Sequence, residues 1–162
     1  MDPHPIHPDN GYVLGILLAV YAVILLITLG LVVAYYVVMS LALSRFFAKV
    51  GVEPWIAWVP FYSTWKWLEV GGQAGWFSLL SLIPYGGIVT SVFLYIGMYR
   101  SGIAFRKESG WVVLGIFLPF VWAFLLSRPQ ETYDPELIVR AGYPRPLAGF
   151  GSAGADSAAP TA

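Results

Sequence analysis

Apolar stretches without a charged side chain dominate the hydropathy pattern of this sequence. The first, residues 11–44, would reach about 51 Å as an α-helix, whereas a bilayer core of about 30 Å needs only about 20 residues. Two more stretches, residues 70–99 and 111–127, are also long enough to cross. Residues 54–68, between the first two, are short and rich in tryptophan, which favours the membrane interface. We therefore predict an all-α integral membrane protein with segments at about residues 12–43, 54–69, 75–99 and 111–127.

An aliphatic residue, a proline and an aromatic residue follow one another three times in the apolar stretches. These triplets are Val59-Pro60-Phe61, Ile83-Pro84-Tyr85 and Leu118-Pro119-Phe120, and the last two end a longer Gly-Trp-led pattern that repeats after 35 residues. Proline inside a helix removes a backbone hydrogen bond at a cost of roughly 3 kcal/mol in water, and neighbouring membrane helices relieve that cost. We predict that each proline kinks one Trp-led membrane helix.

The distribution of Lys and Arg predicts an orientation. The first ten residues have neither, residues 45–53 have two, residues 69–75 have none and residues 100–110 have three. This alternation follows the positive-inside rule when residues 54–69 cross the bilayer, and it then places both termini outside the cytoplasm in a multi-pass protein of the cell membrane. In the alternative, residues 54–69 form a half-inserted, re-entrant segment.

Composition limits the function classes. Hydrophobic residues make up 58% of the chain and charged residues 11%, and the net charge is zero. Because no basic block exists that could neutralise a run of phosphates, we expect no nucleic-acid binding. Cysteine is absent, no histidine lies in the apolar stretches, and His4 and His7 lie in a short tail with nothing to fix their geometry. We therefore predict no metal, no cofactor and no catalytic residue.

The chain divides by composition into a tail, a membrane domain and a second tail. Residues 1–10 form the predicted extracytoplasmic N-terminal tail, and residues 11–128 form the membrane domain. From residue 129 to residue 162 the sequence is rich in Pro, Gly and Ala. Such a segment buries too little apolar surface to offset its ordering entropy, so we predict that it is disordered.

Two places in the apolar stretches are candidates for a functional site. Pro84 is followed by Gly86 and Gly87, with Ser91 one turn further on. This combination favours small residues that let kinked helices approach closely, and the alternative is a helix break that binds a substrate. Lys66 lies three residues before Glu69 and either snorkels to the interface or contacts an anionic substrate or lipid head group.

The order of these motifs resembles an uncharacterised family of small bacterial membrane proteins, some labelled "large exoprotein" and some joined to a signal-peptidase-like module. The resemblance covers about residues 41–127. It departs from the family at Ser63 and at Gly86-Gly87, where relatives place Asn, and at residues 101–108, which lack a Phe-Gly-Lys. It implies a bacterial membrane setting and no particular activity. The matching residues are Phe47-Ala48-Lys49-Val50-Gly51, Trp55, Val59-Pro60-Phe61-Tyr62, Gly75-Trp76, Ile83-Pro84 and Leu118-Pro119.

We expect a non-enzymatic accessory or scaffold protein of the bacterial cytoplasmic membrane. Its expected partners are membrane lipids together with a membrane protein or further copies of the chain. The alternative is a small transporter or lipid-handling protein with a polar helix break near Pro84–Gly87. That break would include Ser91, and Lys66 would be a second polar contact.

Overall fold

The computed structural model describes residues 10–151, and the regular secondary structure in that range is helical. The predictions for residues 1–9, including His4 and His7, and for residues 152–162 lie outside this range. The chain divides into two compact units, Met1–Val37 and Val38–Ala162.

The first element is the helix α1, Asn10–Val50. In the first unit the side chains of residues 11–37 are exposed and mostly aliphatic. Such a surface is stable in lipid, where a helix satisfies its own backbone hydrogen bonds. Gly51 ends α1 with φ +86°, and the Val52 amide then donates a 2.8 Å hydrogen bond to the Phe47 carbonyl oxygen.

Within the described residues, the second unit continues with seven further helices, all shorter than α1. Two helices of the described chain are long and apolar enough to cross a membrane: α1, over Gly11–Val50, and α3. The elements after α1 are the 3₁₀ helix η1 (Pro54–Trp58), α2 (Tyr62–Val70), the 3₁₀ helix η2 (Gly75–Leu82), α3 (Gly86–Ala104), α4 (Trp111–Phe117), α5 (Pro119–Leu126) and α6 (Glu136–Arg140).

The three repeated prolines separate helices, whereas the sequence predicts that they kink continuous ones. Pro60 lies between η1 and α2, and Pro84 lies between η2 and α3. Pro119 is the first residue of α5, a position where its missing N–H costs nothing. The internal repeat of the sequence is therefore a repeat of two helices joined at a proline.

The segment around Pro84 is a tight reversal between η2 and α3. Tyr85 has φ +64° and ψ −9°, and the Gly86 amide donates a 2.9 Å hydrogen bond to the Ile83 carbonyl oxygen. With proline before Tyr85, this is the geometry of a type II turn. The rings of Phe77 and Phe93 then stack with centroids 4.0 Å apart, so η2 and α3 form an antiparallel hairpin.

Val50, just before the Trp-rich segment, and Val70, just after it, both lie close to Gly149. A Cβ on Gly149 would be 3.2 Å from a methyl of Val50, where α1 ends, and 3.1 Å from a methyl of Val70, where α2 ends. The chain between them therefore leaves this residue and returns to it. Whether residues 54–69 cross the bilayer or re-enter it stays a prediction, because both placements are defined relative to a membrane.

Aromatic rings from α1, α2 and α5, together with Phe105 just after α3, build the core of the second unit. The ring of Phe46 lies 5.3 Å from that of Trp122, 6.1 Å from Phe105 and 6.5 Å from Trp67, measured between centroids. Phe46 and Trp122 are fully buried. This cluster joins the C-terminal part of α1 to the ends of α2 and α3 and to the middle of α5.

Residues 129–151 are folded onto this core, whereas composition predicts a disordered tail from residue 129. They contain α6, in which Ile138 is fully buried, and Ala148 belongs to the core. The difference has a physical reason. Apolar residues are interspersed among the prolines and glycines, and the backbone of this segment bonds to the ends of α1 and α2.

Candidate functional site

The break at Pro84 is built by close backbone packing. A Cβ on Gly86 would lie 1.8 Å from the carbonyl oxygen of Leu80, so only glycine fits there. A Cβ on Gly87 would meet nothing within 4 Å. Pro84 and Gly87 are exposed and Gly86 is partly buried. The packing therefore explains why residue 86 is glycine. It does not explain why residue 87 is glycine, because a larger side chain would fit there.

The hydroxyl groups around the break donate hydrogen bonds to backbone carbonyl groups. Ser91 Oγ bonds the Gly87 carbonyl oxygen at 2.8 Å, on its own helix. Thr90 Oγ1 bonds the Phe77 carbonyl oxygen at 2.8 Å, across the hairpin. Ser81 Oγ bonds the Ser78 carbonyl oxygen at 2.6 Å. The Ser91 bond is a back-bond within α3, and the Thr90 bond joins α3 to η2.

Lys66 forms a separate cluster on α2. Its Nζ lies 2.7 Å from Oε2 of Glu69, and Glu69 Oε1 accepts a 2.7 Å hydrogen bond from the indole N–H of Trp65. The ammonium also lies 5.8 Å from the centroid of the Tyr62 ring. The two charged side chains thus neutralise each other at i,i+3 spacing. Within residues 10–151, no hydrogen bond or ion pair joins Lys66 to the Pro84 break.

The charged residues of the second unit collect at one end of its helices, which we call the polar end. There the Arg100 guanidinium lies 3.4 Å from the carbonyl oxygens of Gly71 and Gly72, and 5.2 Å from the ring of Tyr143. Lys107 pairs with Glu131 at 2.7 Å. The polar end comprises residues 45–53, 66–73, 100–108 and 128–151, and every charged residue in the range 38–151 belongs to it.

The C-terminal segment, residues 143–151, ties the polar end together. The Leu147 amide donates a 2.8 Å hydrogen bond to the Glu69 carbonyl oxygen, and the Gly151 amide donates one of 2.9 Å to Val50. The Tyr133 hydroxyl donates to the Gly149 carbonyl oxygen at 2.9 Å, and burial raises the pKa of the Tyr133 phenol above its usual range. The sequence did not predict that this segment is folded, because glycine and proline in this number are typical of a disordered linker.

The helix ends opposite the polar end carry exposed aromatic residues with strained backbones. Phe61 has φ +62° and Tyr85 has φ +64°, and both follow the repeated prolines. Non-glycine residues seldom adopt this left-handed region. The Tyr85 side chain is 85% exposed and that of Phe61 is also exposed. We call Val59–Phe61 the first Pro turn and Ile83–Tyr85 the second. In the sequence, the only sign of the unusual backbone at Phe61 and Tyr85 is that each follows a proline.

Charged contacts and an exposed apolar surface are the main features of the described residues. The part of the chain that the structure describes contains no group of three His, Cys, Asp or Glu residues that could hold a metal ion. At the polar end, Lys66 and Lys107 form ion pairs, and Arg100 contacts backbone carbonyl oxygens and an aromatic ring. The exposed surface at the Pro turns is apolar.

Comparison with known proteins gives a family and no activity. Residues 55–135, half of the chain, match a family of unknown function (DUF5684). This agrees with the resemblance to an uncharacterised family. No curated protein and no solved structure matches the chain.

Proposed function

Because the chain belongs to the DUF5684 family of unknown function, we propose from its own residues that it is a non-enzymatic accessory or scaffold protein of the bacterial cytoplasmic membrane. The observation that carries the proposal is the separation of charge in the second unit. Its charged residues all lie in the polar end, while the Pro turns at the other end of α2 and α3 are apolar and exposed. Such a surface suits a protein anchored in lipid with one face in water.

The proposed orientation places the polar end in the cytoplasm. All nine Lys and Arg residues follow residue 44, and the residues before α1 have none. When α1 crosses the bilayer, the positive-inside rule puts its C-terminal end inside. The bond from Gly151 to Val50 then keeps residue 151 on the same side. This replaces the expectation that both termini lie outside, and it gathers every basic residue on one side.

An architectural role for the Pro84 break supports a scaffold over a transporter. The hydroxyl groups of Ser81, Thr90 and Ser91 already donate to backbone carbonyl groups. A transport path needs polar groups that are available to a substrate. The alternative of a small transporter or lipid-handling protein predicts that water reaches this break.

The proposed partner contact lies on α1. The side chains of residues 11–37 are exposed on all sides of the helix, so lipid or a second membrane helix covers them. A photo-crosslinking amino acid at Leu26 tests this surface in native membranes, and one at Glu108, in the polar end, is the matched control. We expect one protein to crosslink at Leu26 and to co-purify in stoichiometric amount in mild detergent. Repeated purification of the chain alone, with only lipid adducts at Leu26, contradicts the scaffold proposal.

Thiol labelling distinguishes the transporter alternative. The chain has no cysteine, so single cysteines at Ser81, Gly87 and Ser91 report without background. The scaffold proposal expects all three to stay inert towards an impermeant aqueous thiol reagent in membranes, while a cysteine at Glu108 reacts. Rapid labelling at the three break positions supports the transporter alternative instead.

A further inference from the structure

We propose that the first and second Pro turns are apolar wedges that enter one leaflet of the bilayer from the polar-end side and stop near its midplane. The inference rests on the membrane location proposed above. It adds how deeply the two turns enter the bilayer and states that lipid acyl chains cover their apolar surface.

The first argument is the charge-free surroundings of the two turns. Residues 54–65 and 70–99 contain no charged side chain, although each segment begins and ends beside the polar end. Large apolar side chains near the turns are exposed: Trp55, Val59, Phe61, Trp76, Leu79, Leu82, Ile83, Tyr85, Ile88, Val89 and Val92. Exposed apolar side chains in this number favour association or aggregation in water, whereas acyl chains solvate them.

The second argument is the backbone at the tips. Phe61 and Tyr85 hold left-handed conformations that glycine adopts without strain, yet both positions carry an aromatic ring. Backbone strain of this kind persists where the side chain has a use. At these tips the aromatic side chain points into the surroundings, because Tyr85 is 85% exposed. An aromatic residue at the tip of a turn is suited to penetration into lipid.

The third argument is depth. The hairpin of η2 and α3 leaves the polar end near Gly71 and touches it again at Gly97, since a Cβ on Gly71 would come within 2.2 Å of the Gly97 Cα. The eight residues of η2 extend about 16 Å at about 2.0 Å per residue. From Gly86 to Gly97, α3 rises about 16 Å at about 1.5 Å per residue. Both estimates are about half of the roughly 30 Å bilayer core.

Lipid fits this surface better than a protein partner does. Trp55 and Trp76 are exposed beside the turns, on the polar-end side of the tips, and tryptophan favours the boundary between head groups and acyl chains. Along the chain, an exposed tryptophan therefore precedes the tip of each Pro turn. A protein groove would not require this order of side chains along the depth axis.

Spin-label accessibility tests the proposal on the full chain. Single cysteines at Tyr85 and Ile88 carry a nitroxide in nanodiscs of phosphatidylethanolamine and phosphatidylglycerol with one chain per disc. Ile88 lies on α3 next to the turn, so its label does not depend on the strained backbone. We expect collisions with lipid-soluble oxygen to exceed those with a water-soluble nickel complex several-fold at both sites. The depth should correspond to the bilayer centre.

Two control labels separate the possible failures. A cysteine at Gly30 lies in the middle of the first apolar stretch of α1, where a Cβ meets nothing within 4 Å, and one at Glu108 lies in the polar end. If Gly30 reports lipid while Tyr85 and Ile88 report water, the wedge proposal is wrong and the membrane location stands. If Gly30 also reports water, the membrane location itself is wrong. Low collision rates with both reagents at the turns mean that protein covers them, which also overturns the proposal.

Discussion

The amide of Gly151 donates a 2.9 Å hydrogen bond to the carbonyl oxygen of Val50, the last residue of α1. The last four carbonyl groups of a helix have no partner within the helix, so this bond satisfies one of them. Leu147 does the same for Glu69 near the end of α2. The C-terminal segment thus caps two helices, and residue 151 lies wherever the C-terminal end of α1 lies.

Reporter fusions should place the two chain ends on opposite sides of the membrane. We expect a reporter that is active only outside the cytoplasm to be active when fused before Met1 and silent when fused after Ala162. The physical reason is that all nine basic residues follow residue 44, and Gly151 is bonded to Val50. A cytoplasm-dependent reporter at the same two positions is the control. Activity of the first reporter at both ends contradicts the orientation.

The two glycines after Tyr85 should differ sharply when replaced by alanine. Gly86→Ala brings a Cβ within 1.8 Å of the Leu80 carbonyl oxygen and forces η2 away from α3. We expect a loss of about 1–3 kcal/mol in the free energy of unfolding. Gly87→Ala has open space and should be neutral or stabilise by up to about 1 kcal/mol. Thermal unfolding in detergent measures both, and equal losses contradict the packing of this hairpin.

Tyr85 should be replaced more easily by glycine than by alanine. Left-handed backbone at an L-residue costs roughly 1–2 kcal/mol, which glycine avoids and alanine retains. Both variants lose the aromatic side chain. We therefore expect Tyr85→Gly to unfold at a higher temperature than Tyr85→Ala, by an amount that corresponds to about 1 kcal/mol. A lower unfolding temperature for Tyr85→Gly means that the turn does not have positive φ.

The sequence allowed prediction of the helical class and of the break positions, for reasons that are local. Residues 11–44 are apolar enough to require a helix, and each proline excludes a continuous backbone hydrogen-bond ladder at its own position. Whether a proline kinks a helix or reverses the chain depends on which residues from other helices pack against it. At Pro84 the reversal rests on contact between Gly86 and Leu80, which lie on different helices.

The sequence left open whether the Trp-rich segment crosses or returns, because local patterns do not decide between them. The positive-inside rule locates charges relative to the membrane only after the crossings are known. Here Gly149, about 80 residues further along the chain than Val70, brings the ends of α1 and α2 together. The same contact explains why residues 143–151 are folded despite their composition. Such long-range contacts leave no periodic signal in a single sequence.

Glu69 should be more sensitive to loss of its carboxyl group than to loss of its charge. Its two oxygens accept from the Trp65 indole and the Lys66 ammonium, each at 2.7 Å. Glu69→Ala leaves both partly buried donors without this acceptor, and we expect a loss of about 1–3 kcal/mol. Glu69→Gln keeps an amide oxygen for the indole and should lose less. Chemical denaturation in detergent compares the two, and a loss in Glu69→Gln as large as in Glu69→Ala contradicts this role of Trp65.

Tyr133 should make the fold sensitive to alkaline pH. Its hydroxyl donates to the Gly149 carbonyl oxygen at 2.9 Å, its ring centroid lies 5.2 Å from that of Phe105, and burial raises its pKa above the ordinary value of about 10. The folded state therefore favours the neutral phenol. This contribution to stability is complete below about pH 10 and is lost as the pH rises further, because the unfolded chain ionises first.

Tyr133→Phe separates the hydrogen bond from the ionisation. At neutral pH the variant should lose about 0.5–1.5 kcal/mol, the usual net contribution of one hydrogen bond. Above about pH 10 the wild type should lose stability faster than the variant, since phenylalanine has no proton to release. The free energy of unfolding of both proteins is measured between about pH 7 and about pH 11. The difference between them removes the contribution of the other tyrosines and lysines, which both proteins share. Parallel curves would mean that the Tyr133 phenol ionises as easily in the folded chain as in the unfolded one, and that the C-terminal segment does not cover it.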